Sequence, residues 1–560
     1  MASLFSISIV LSLFLVNTAG RILNTVVDEI YTEVLANPAL HGGAILSQSI
    51  VMPSMIFVQI SGVLLAISFL FVGICLAIAF RITSKNFGKI YTFDLFGAGI
   101  GCILTVIFLS YFQITTAILS LSLLSATGAL MFTKASIKNF QKNRFYLYGL
   151  NFFLLGFLLA NLSGYSIYDF KIHKYAFLRS FYHTPLKELK YQWTPLGRVT
   201  LAQREWSPPL NSQPKLRPLT FVGMDLGGFS VIEKFTPENL KIIKNTSVFS
   251  DDIPEPIVVP GLYANLKEYL VLMAGNGQDM LRAYACYGEN INLTGVELNP
   301  AVFQMGLEYK EANLEVFFNK PNVKMEIAEG RSFIEHSQKK YDLICLSYSG
   351  ATFATGNGTL SSTPQFLFTK EAFKSYLKKL TDRGVLIVVQ SSLPTDLPPS
   401  LRTFCAALKE IEPETDLRKH VLAYSRPGFY QNRNYTIYHR KPLTKEMVRQ
   451  IEKIFSEHNL TITYSAYTAS KYPAMQSFFD VLSTLPGSLY RGFPYPASSQ
   501  ERVHSDNHPF YYFDLIWGRA GGFLVIGYTI TFLSALGIAM IFLAMPLIIK
   551  RGKYSTEQLP

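Results

Sequence analysis

The chain has 560 residues, 49% of them hydrophobic and 14% aromatic, with only 16% charged and a mean hydropathy of +0.23. That is too apolar and too poor in charge for a wholly soluble protein of this size, so part of the chain belongs in lipid. The net charge of +12 does not signal nucleic acid, because no dense Lys/Arg run or basic stripe with interleaved aromatics occurs, and much of the excess lies beside hydrophobic segments.

A hydrocarbon core of ~30 Å takes roughly 20 helical residues to cross. Stretches at about 56–80, 91–113, 115–133, 146–164 and 521–549 meet that length. A sixth, Ser3 to Ala19, is shorter and has two readings, an uncleaved anchor or a signal peptide. Ala19 and Gly20 are small enough for cleavage, but no positive region precedes the apolar core, which favours the anchor.

Orientation follows from Lys and Arg in the short loops. The loop 81–90 carries Arg81, Lys85 and Lys89, the loop 134–145 carries Lys134, Lys138, Lys142 and Arg144, and the tail 550–560 carries Lys550, Arg551 and Lys553. Those segments are expected in the cytoplasm. The loop Gln113 to Thr116 has no basic residue, and Arg21 to Pro53 sets one Arg against Asp28, Glu29 and Glu33. With six crossings the pattern puts residues 165–520 outside, on the periplasmic face of a bacterial inner membrane. A nucleotide made in the cytoplasm would not be at hand there.

Cys75 and Cys102 fall in the apolar spans, leaving Cys286, Cys345 and Cys405, with neither an even disulfide framework nor a C-x-x-C pattern, so plain buried thiols are expected. The glycosylation-type triplets at Asn245 and Asn434 carry no weight without knowledge of the host.

The domain reading is therefore membrane helices over 1–164, a small β-rich subdomain over 165–259, a Rossmann-like domain over 260–515, and a last span at 521–549 ahead of the basic tail. The β-rich part rests on Pro, aromatics and short alternating runs such as Gly197-Arg198-Val199-Thr200-Leu201. From about Pro260, apolar runs at Leu270–Met273, Leu293–Val296, Val323–Ile327, Leu343–Leu346 and Val385–Val389 alternate with helical stretches at about 278–289, 299–312 and 366–380. That alternation predicts a parallel α/β sheet with crossover helices.

Candidate chemistry gathers at the carboxyl ends of those strands. The first runs into Ala274-Gly275-Asn276-Gly277-Gln278-Asp279, where small residues let backbone approach a ligand and the next helix offers its amides. The second ends in Val296-Glu297-Leu298-Asn299-Pro300, an acid where such folds hold ribose hydroxyls. The third ends in Ala328-Glu329-Gly330-Arg331, a second acid placed to read an adenine edge. A tight turn would equally account for the glycines, and solvated helix starts for Glu297 and Glu329. The order and spacing of all three favour Gly275, Asn276, Gly277, Asp279, Glu297, Glu329 and Gly330 as a nucleotide site.

The run Tyr91-Thr92-Phe93-Asp94-Leu95-Phe96-Gly97-Ala98-Gly99, then Asn276 to Leu281, Val296 to Pro300, Tyr341-Asp342-Leu343-Ile344, Leu367-Phe368-Thr369-Lys370-Glu371-Ala372-Phe373 and Ser505-Asp506-Asn507-His508-Pro509-Phe510 follow one set of motifs in order. Over about residues 90–515 the chain resembles spermidine synthases, and more closely the bacterial membrane proteins described as fused transporter-like and spermidine-synthase-like. The resemblance implies a β subdomain ahead of a Rossmann-like core of methyltransferase type. It also implies a ligand such as S-adenosylmethionine, its decarboxylated form or methylthioadenosine.

Two departures bear on function. A true spermidine synthase has an Asp in its first glycine loop that holds the transferred aminopropyl group, and Gly277 stands there. It also has an acidic segment after the fourth strand, where a carboxylate takes the proton of the attacking amine. Here that segment reads Leu346-Ser347-Tyr348-Ser349-Gly350. Neither Ser347 nor Tyr348 is a base near neutral pH without a large pKa shift, so aminopropyl transfer to putrescine is not expected.

Asp94, at the start of an apolar segment, is read as a structural acid near the interface, and Gly97, Gly99 and Gly101 as allowing close helix packing. His183, His420 and His508 show no metal-ligand spacing and are read as ordinary surface or supporting residues. Two functions of different class remain. One is a transferase, with Glu297 and Glu329 holding the nucleoside and an acceptor above Ser347 and Tyr348. The other is a catalytically inactive subunit, without nucleotide, that uses the Rossmann-like domain as an extracytoplasmic platform in a membrane complex. The partners in view are the bilayer, membrane-complex subunits or further copies of the chain, and not nucleic acid.

Overall fold

The computed structural model describes residues 2–36, 43–82, 87–134, 137–165, 186–204, 219–224, 228–246, 256–347, 365–388, 397–426, 433–467, 503–507, 509, 533, 536, 537 and 540. Two compact units emerge, one of residues 1–175, 193–195 and 522–560, the other of residues 176–192 and 196–521.

The first unit contains helices α1 (Ala2–Ala36), α2 (Gly43–Ile82), α3 (Phe87–Tyr111), α4 (Ile114–Lys134) and α5 (Ile137–Leu162). Helix α1 stops one residue before Asn37-Pro38, where proline disfavours helical backbone in its predecessor. Helix α5 closes on Gly164 at φ +94, with Gly164 and Tyr165 donating back to the carbonyls of Asn161 and Ala160, an end that suits glycine because the left-handed region carries no Cβ penalty there. Within these helices the stretches Ala2–Ile22, Ile60–Arg81, Phe87–Tyr111, Ile114–Phe132 and Arg144–Leu162 are long and apolar enough to cross a membrane. They fall where the hydropathy placed them; the stretch at 521–549 lies almost wholly outside the described residues.

Helix α1 packs between α2 and α4 along a polar seam. Ser6 donates to the carbonyl of Ser122 at 2.8 Å and Ser122 to that of Ser6 at 2.7 Å, while Ser125 donates to the carbonyl of Ala2. One turn and a half along α1, Ser12 donates to the carbonyl of Leu64 at 2.8 Å. Between α4 and α5, Thr116 donates to Asn161 at 2.6 Å and Thr127 to Asn151 at 2.9 Å. Small hydroxyl residues let the backbones approach and satisfy their own polar groups across the gap. Helix α3 departs from the expectation of close packing at its glycines. It has no buried residue, and a Cβ added at Gly97, Gly99 or Gly101 would meet nothing within 4 Å among the described residues.

The second unit begins with a four-stranded sheet, β1 (Leu186–Thr194), β2 (Gly197–Arg204), β3 (Leu219–Met224) and β4 (Gly228–Val231), in that spatial order. Helix α6 (Pro237–Thr246) follows. The larger sheet has strands β5 (Glu268–Leu272), β6 (Asn292–Glu297), β7 (Val323–Ile327), β8 (Tyr341–Leu346) and β9 (Leu380–Val388) paired in parallel. It continues through β10 (Val421–Arg426), β11 (Arg433–His439) and β12 (Thr461–Tyr464), giving the order β12-β10-β11-β9-β8-β5-β6-β7. Between the strands run α7 (Gln278–Tyr287), α8 (Pro300–Glu308), α9 (Leu314–Phe318), α10 (Gly330–His336), α11 (Lys370–Lys379), α12 (Leu397–Ile411) and α13 (Lys445–Glu457). Strand β5 lies at the centre and is covered on both faces, so Tyr269, Leu270, Val271 and Leu272 are all buried, an unbroken apolar run rather than an alternating one.

The expected strands of 260–388 are present, Val389 lying outside the described residues, while the helical stretch at 299–312 runs only to Glu308 before a separate turn at Lys310–Ala312. Two further differences stand out. The helical stretch at 366–380 is broken, because Thr369 caps a separate helix by accepting from Ala372 N–H, so that Phe366–Phe368 forms a turn of its own. And the sheet does not end at β9: β11 pairs antiparallel with β9, and β10 with both β11 and β12. His420, read as an ordinary surface or supporting residue, is buried and takes the supporting role. Its ring contacts the carbonyl of His439 at 3.0 Å and Thr415 Oγ1 at 2.8 Å, so both nitrogens are engaged in holding this extension. His183 and His508 lie outside the described residues.

Candidate active site

In an open α/β sheet the ligand crevice opens outside the carboxyl ends of the strands where the chain reverses its direction of winding. Here that point lies between β5 and β8, since the chain goes from β5 outward to β6 and β7 on one side, then returns to β8 on the other. Gly275, Asn276, Gly277, Asp279 and Ser347 stand at this crevice, and Glu297 at the neighbouring end of β6.

The turn leaving β5 is unusual in backbone terms. Met273, Gly275 and Gly277 have φ of 58, 61 and 87 degrees. A left-handed methionine is strained, and such strain persists where surroundings over-determine it, commonly at functional sites. Close packing gives the two glycines a second reason. A Cβ on Gly275 would lie 2.7 Å from Ser230 Oγ, and one on Gly277 would lie 2.4 Å from Phe318 Cζ. The loop is therefore roofed on those sides by its own chain.

Strand β4 braces it further. Ser230 donates to buried Asn276 Oδ1 at 2.9 Å and accepts in return from Asn276 Nδ2 at its carbonyl, while Val231 N–H donates to Gln278 Oε1 at 2.9 Å. Arg282, one turn along α7, is buried against Glu233 at 2.8 Å. The small sheet thus holds the glycine loop by hydrogen bonds at Asn276 and Gln278. Ser230 and Phe318 carried no signal as site residues, because their partners lie tens of residues away in sequence.

Glu297 reaches across the base of the crevice. Its Oε2 accepts from Gly275 N–H at 2.9 Å and its Oε1 from Asn299 N–H at 2.8 Å. Burial raises its pKa above the ordinary 4.5, while the amides of Asn299, Gly275 and Leu298 pull in the other direction. Asn299 is held in turn as the cap of α8, accepting from Ala301 N–H ahead of Pro300. Glu297 therefore ties the glycine loop to the end of β6 and keeps further lone pairs for a hydroxyl donor.

Glu329 does different work in the structure. It is exposed and caps α10, accepting from Arg331 N–H at 2.9 Å and Ser332 N–H at 2.7 Å. That is the helix-start role weighed against nucleotide reading. Gly330 behind it is buried, and its missing side chain leaves room for Leu367 at 3.1 Å.

The carboxyl end of β8 is not without an acid. Ser347 donates its hydroxyl to Asp279 Oδ2 at 2.5 Å, and its N–H to the carbonyl of Leu272 at 3.0 Å. Sequence reading treated Asp279 as part of the glycine loop and Ser347 as unaccompanied; the sheet puts them side by side. Tyr348, Ser349 and Gly350 lie outside the described residues. Behind the site Cys345 is buried, and desolvation holds its thiol well above its ordinary pKa, as it does Cys405, pushed up to about 12.

The motif Ser505–Phe510, of which His508 and Phe510 lie outside the described residues, meets the segment leading into α11. Asp506 accepts from Thr369 Oγ1 at 2.6 Å and its N–H donates to Glu371, while the carbonyls of His504 and Pro509 accept from Lys370 and Gln365 N–H. It fastens the start of α11.

No family model matches the chain. A search of characterised proteins finds the polyamine aminopropyltransferase of Sulfurisphaera tokodaii, 24% identical over 162 residues, which is 29% of this chain and 49% of that protein. The match thus spans about half the length of that relative. Among solved structures, a spermidine synthase in complex with the transition state analogue AdoDATO aligns at 12% identity, over 48% of this chain and 79% of its own, with a TM-score of 0.31. The spermidine synthase of Thermotoga maritima aligns at 13% over the same shares, with a TM-score of 0.30. Human methyltransferase-like protein 13 in complex with SAH aligns at 16%, over 40% and 92%, with a TM-score of 0.24. Over the 162 matched residues the chain is thus similar to a polyamine aminopropyltransferase, and its second unit carries a Rossmann-type sheet of parallel strands.

Proposed function

We propose that this chain is a membrane-anchored, spermidine-synthase-like protein that binds a nucleoside of the S-adenosylmethionine class at Gly275, Asn276, Gly277, Asp279 and Glu297, and that it is a group transferase other than a true aminopropyltransferase. The observation that carries the reading is Glu297, a carboxylate positioned by two backbone amides beside the crevice where the winding reverses. A ribose diol donates to such a group in charge-assisted hydrogen bonds worth about 1.5–3 kcal/mol each. Glu329 and Gly330 belong to the adenine end of the same reading, with Glu329 leaving its cap or accepting a further donor there.

Glu297→Ala is expected to weaken binding of methylthioadenosine and S-adenosylmethionine at least about tenfold, one decade being ~1.4 kcal/mol. Because Glu297 also accepts from Gly275 and Asn299, a melting curve accompanies the calorimetry, and Glu297→Gln retains an oxygen acceptor as the conservative control. Absence of binding by the wild type at millimolar concentration sinks the nucleotide reading. The second reading, an inactive platform in a membrane complex, then takes its place. What favours that alternative is the roofing of Gly275 and Gly277 by Ser230 and Phe318 and the capping role of Glu329.

A further inference from the structure

Resting on the nucleoside reading, we propose that Asp279, oriented by Ser347, is the residue that selects a positively charged sulfonium nucleoside over its neutral thioether counterpart. The acid comes from the first turn of α7 and the hydroxyl from the residue after β8, so the pair spans the crevice between β5 and β8. Ser347 spends its one O–H on Asp279 and its N–H on Leu272. What the pair presents to a ligand is therefore acceptors only, the remaining carboxylate lone pairs and those of the serine oxygen. No Lys or Arg pairs with Asp279 among the described residues, although it is only half-exposed.

Its charge is felt by the surroundings. Burial pushes up the Cys345 thiol and Asp279 adds to it; burial likewise lifts the Tyr269 hydroxyl, with Asp279 a smaller contributor behind Tyr287 and Cys345. A carboxylate without a counterion, beside apolar strands, attracts a cation more strongly than it would in open water. The β5–β8 crevice is one strand over from Glu297, so a nucleoside with its ribose at Glu297 can turn its sulfur toward Asp279. A sulfonium supplies the missing positive charge; a thioether does not.

S-Adenosylmethionine and S-adenosylhomocysteine differ at sulfur by one methyl group and one charge, and methylthioadenosine lacks the amino-acid arm. Calorimetry on the full-length protein in detergent with these three probes is the test. The wild type is expected to prefer S-adenosylmethionine to S-adenosylhomocysteine by at least about fivefold, and Asp279→Asn to reduce that ratio to below roughly twofold. Raising the salt concentration on the wild type alone should also shrink the ratio, which keeps the test alive if the variant does not fold. Ser347→Ala, which removes the orienting hydroxyl and not the charge, should lower the preference without abolishing it.

If methylthioadenosine binds and the ratio is the same in Asp279→Asn, or is indifferent to salt, Asp279 is not the selector and only this inference falls. If methylthioadenosine does not bind the wild type at all, the nucleoside reading fails and this inference fails with it.

Discussion

Glu297 carries its charge in surroundings that resist it. Burial lifts its pKa above the ordinary 4.5 in spite of three amide donors. The ionised form is therefore less favoured in the fold than in the unfolded chain. For this residue alone, stability is lowest above the raised folded value, rises as the pH falls through that value, and levels off below 4.5. Ligand affinity runs the opposite way, because the ribose needs the ionised acceptor. Methylthioadenosine binding is expected to weaken on acidification at a pH above 4.5, earlier than an unperturbed glutamate would allow. Calorimetry across a pH series reads this, with Glu297→Gln expected to show a flat and weaker profile; a wild-type profile flat down to 4.5 contradicts it.

At the scale of elements, the glycine loop is the most constrained segment of the site. Gly277→Ala places a Cβ at φ 87 and against the Phe318 ring. The left-handed backbone costs alanine about 1–2 kcal/mol and overpacking adds about 1–3 kcal/mol. Thermal unfolding should therefore show a marked loss, and Gly277→Ala with Phe318→Leu should recover the packing part but not the backbone part. Equal stability of the wild type and the single variant would mean that the ring swings away freely.

The same segment shows how much the chain discloses by itself. The apolar runs of β5, β6, β7 and β8 and the acid of Glu297 are local patterns, and they are where they were expected. Ser230 against Asn276 is separated by 46 residues and Ser347 against Asp279 by 68, so no spacing rule reaches them. Strands β10 to β12 escaped for another reason. Val421–Arg426 and Arg433–His439 mix aromatic, polar and charged side chains, and their pairing is fixed by β9 rather than by their own alternation. Glu329 was legible as a residue at a strand end, but a capping acid and a ligand-binding acid look the same until the helix amides are seen beneath it.

On the scale of the whole molecule, we propose that the apolar helices cross a membrane with the soluble unit outside. Arg81 ends the second span, Lys85 follows it and Lys89 opens the third, while Lys134, Lys138 and Lys142 lie between the fourth and fifth, which puts those loops in the cytoplasm. A reporter active only outside, fused after Ser212 in a segment beyond the described residues, should give signal. A cytoplasmic reporter active at that point overturns the orientation. It would also place the soluble unit beside the cell's supply of S-adenosylmethionine, and so strengthen the transferase reading.

The seam between α1 and α4 sets a schedule for making this protein. Ser6 and Ser122 satisfy each other's backbone and are 116 residues apart. At roughly 5–20 residues per second of synthesis, Ser122 emerges about 6 to 23 seconds after Ser6. For that interval the first helix waits with a polar stripe and no partner on that side, and whatever escorts it during synthesis must shield serine hydroxyls as well as apolar flanks. The clock is written into the packing: moving α4 later in the chain would lengthen the wait without altering a single contact in the finished fold.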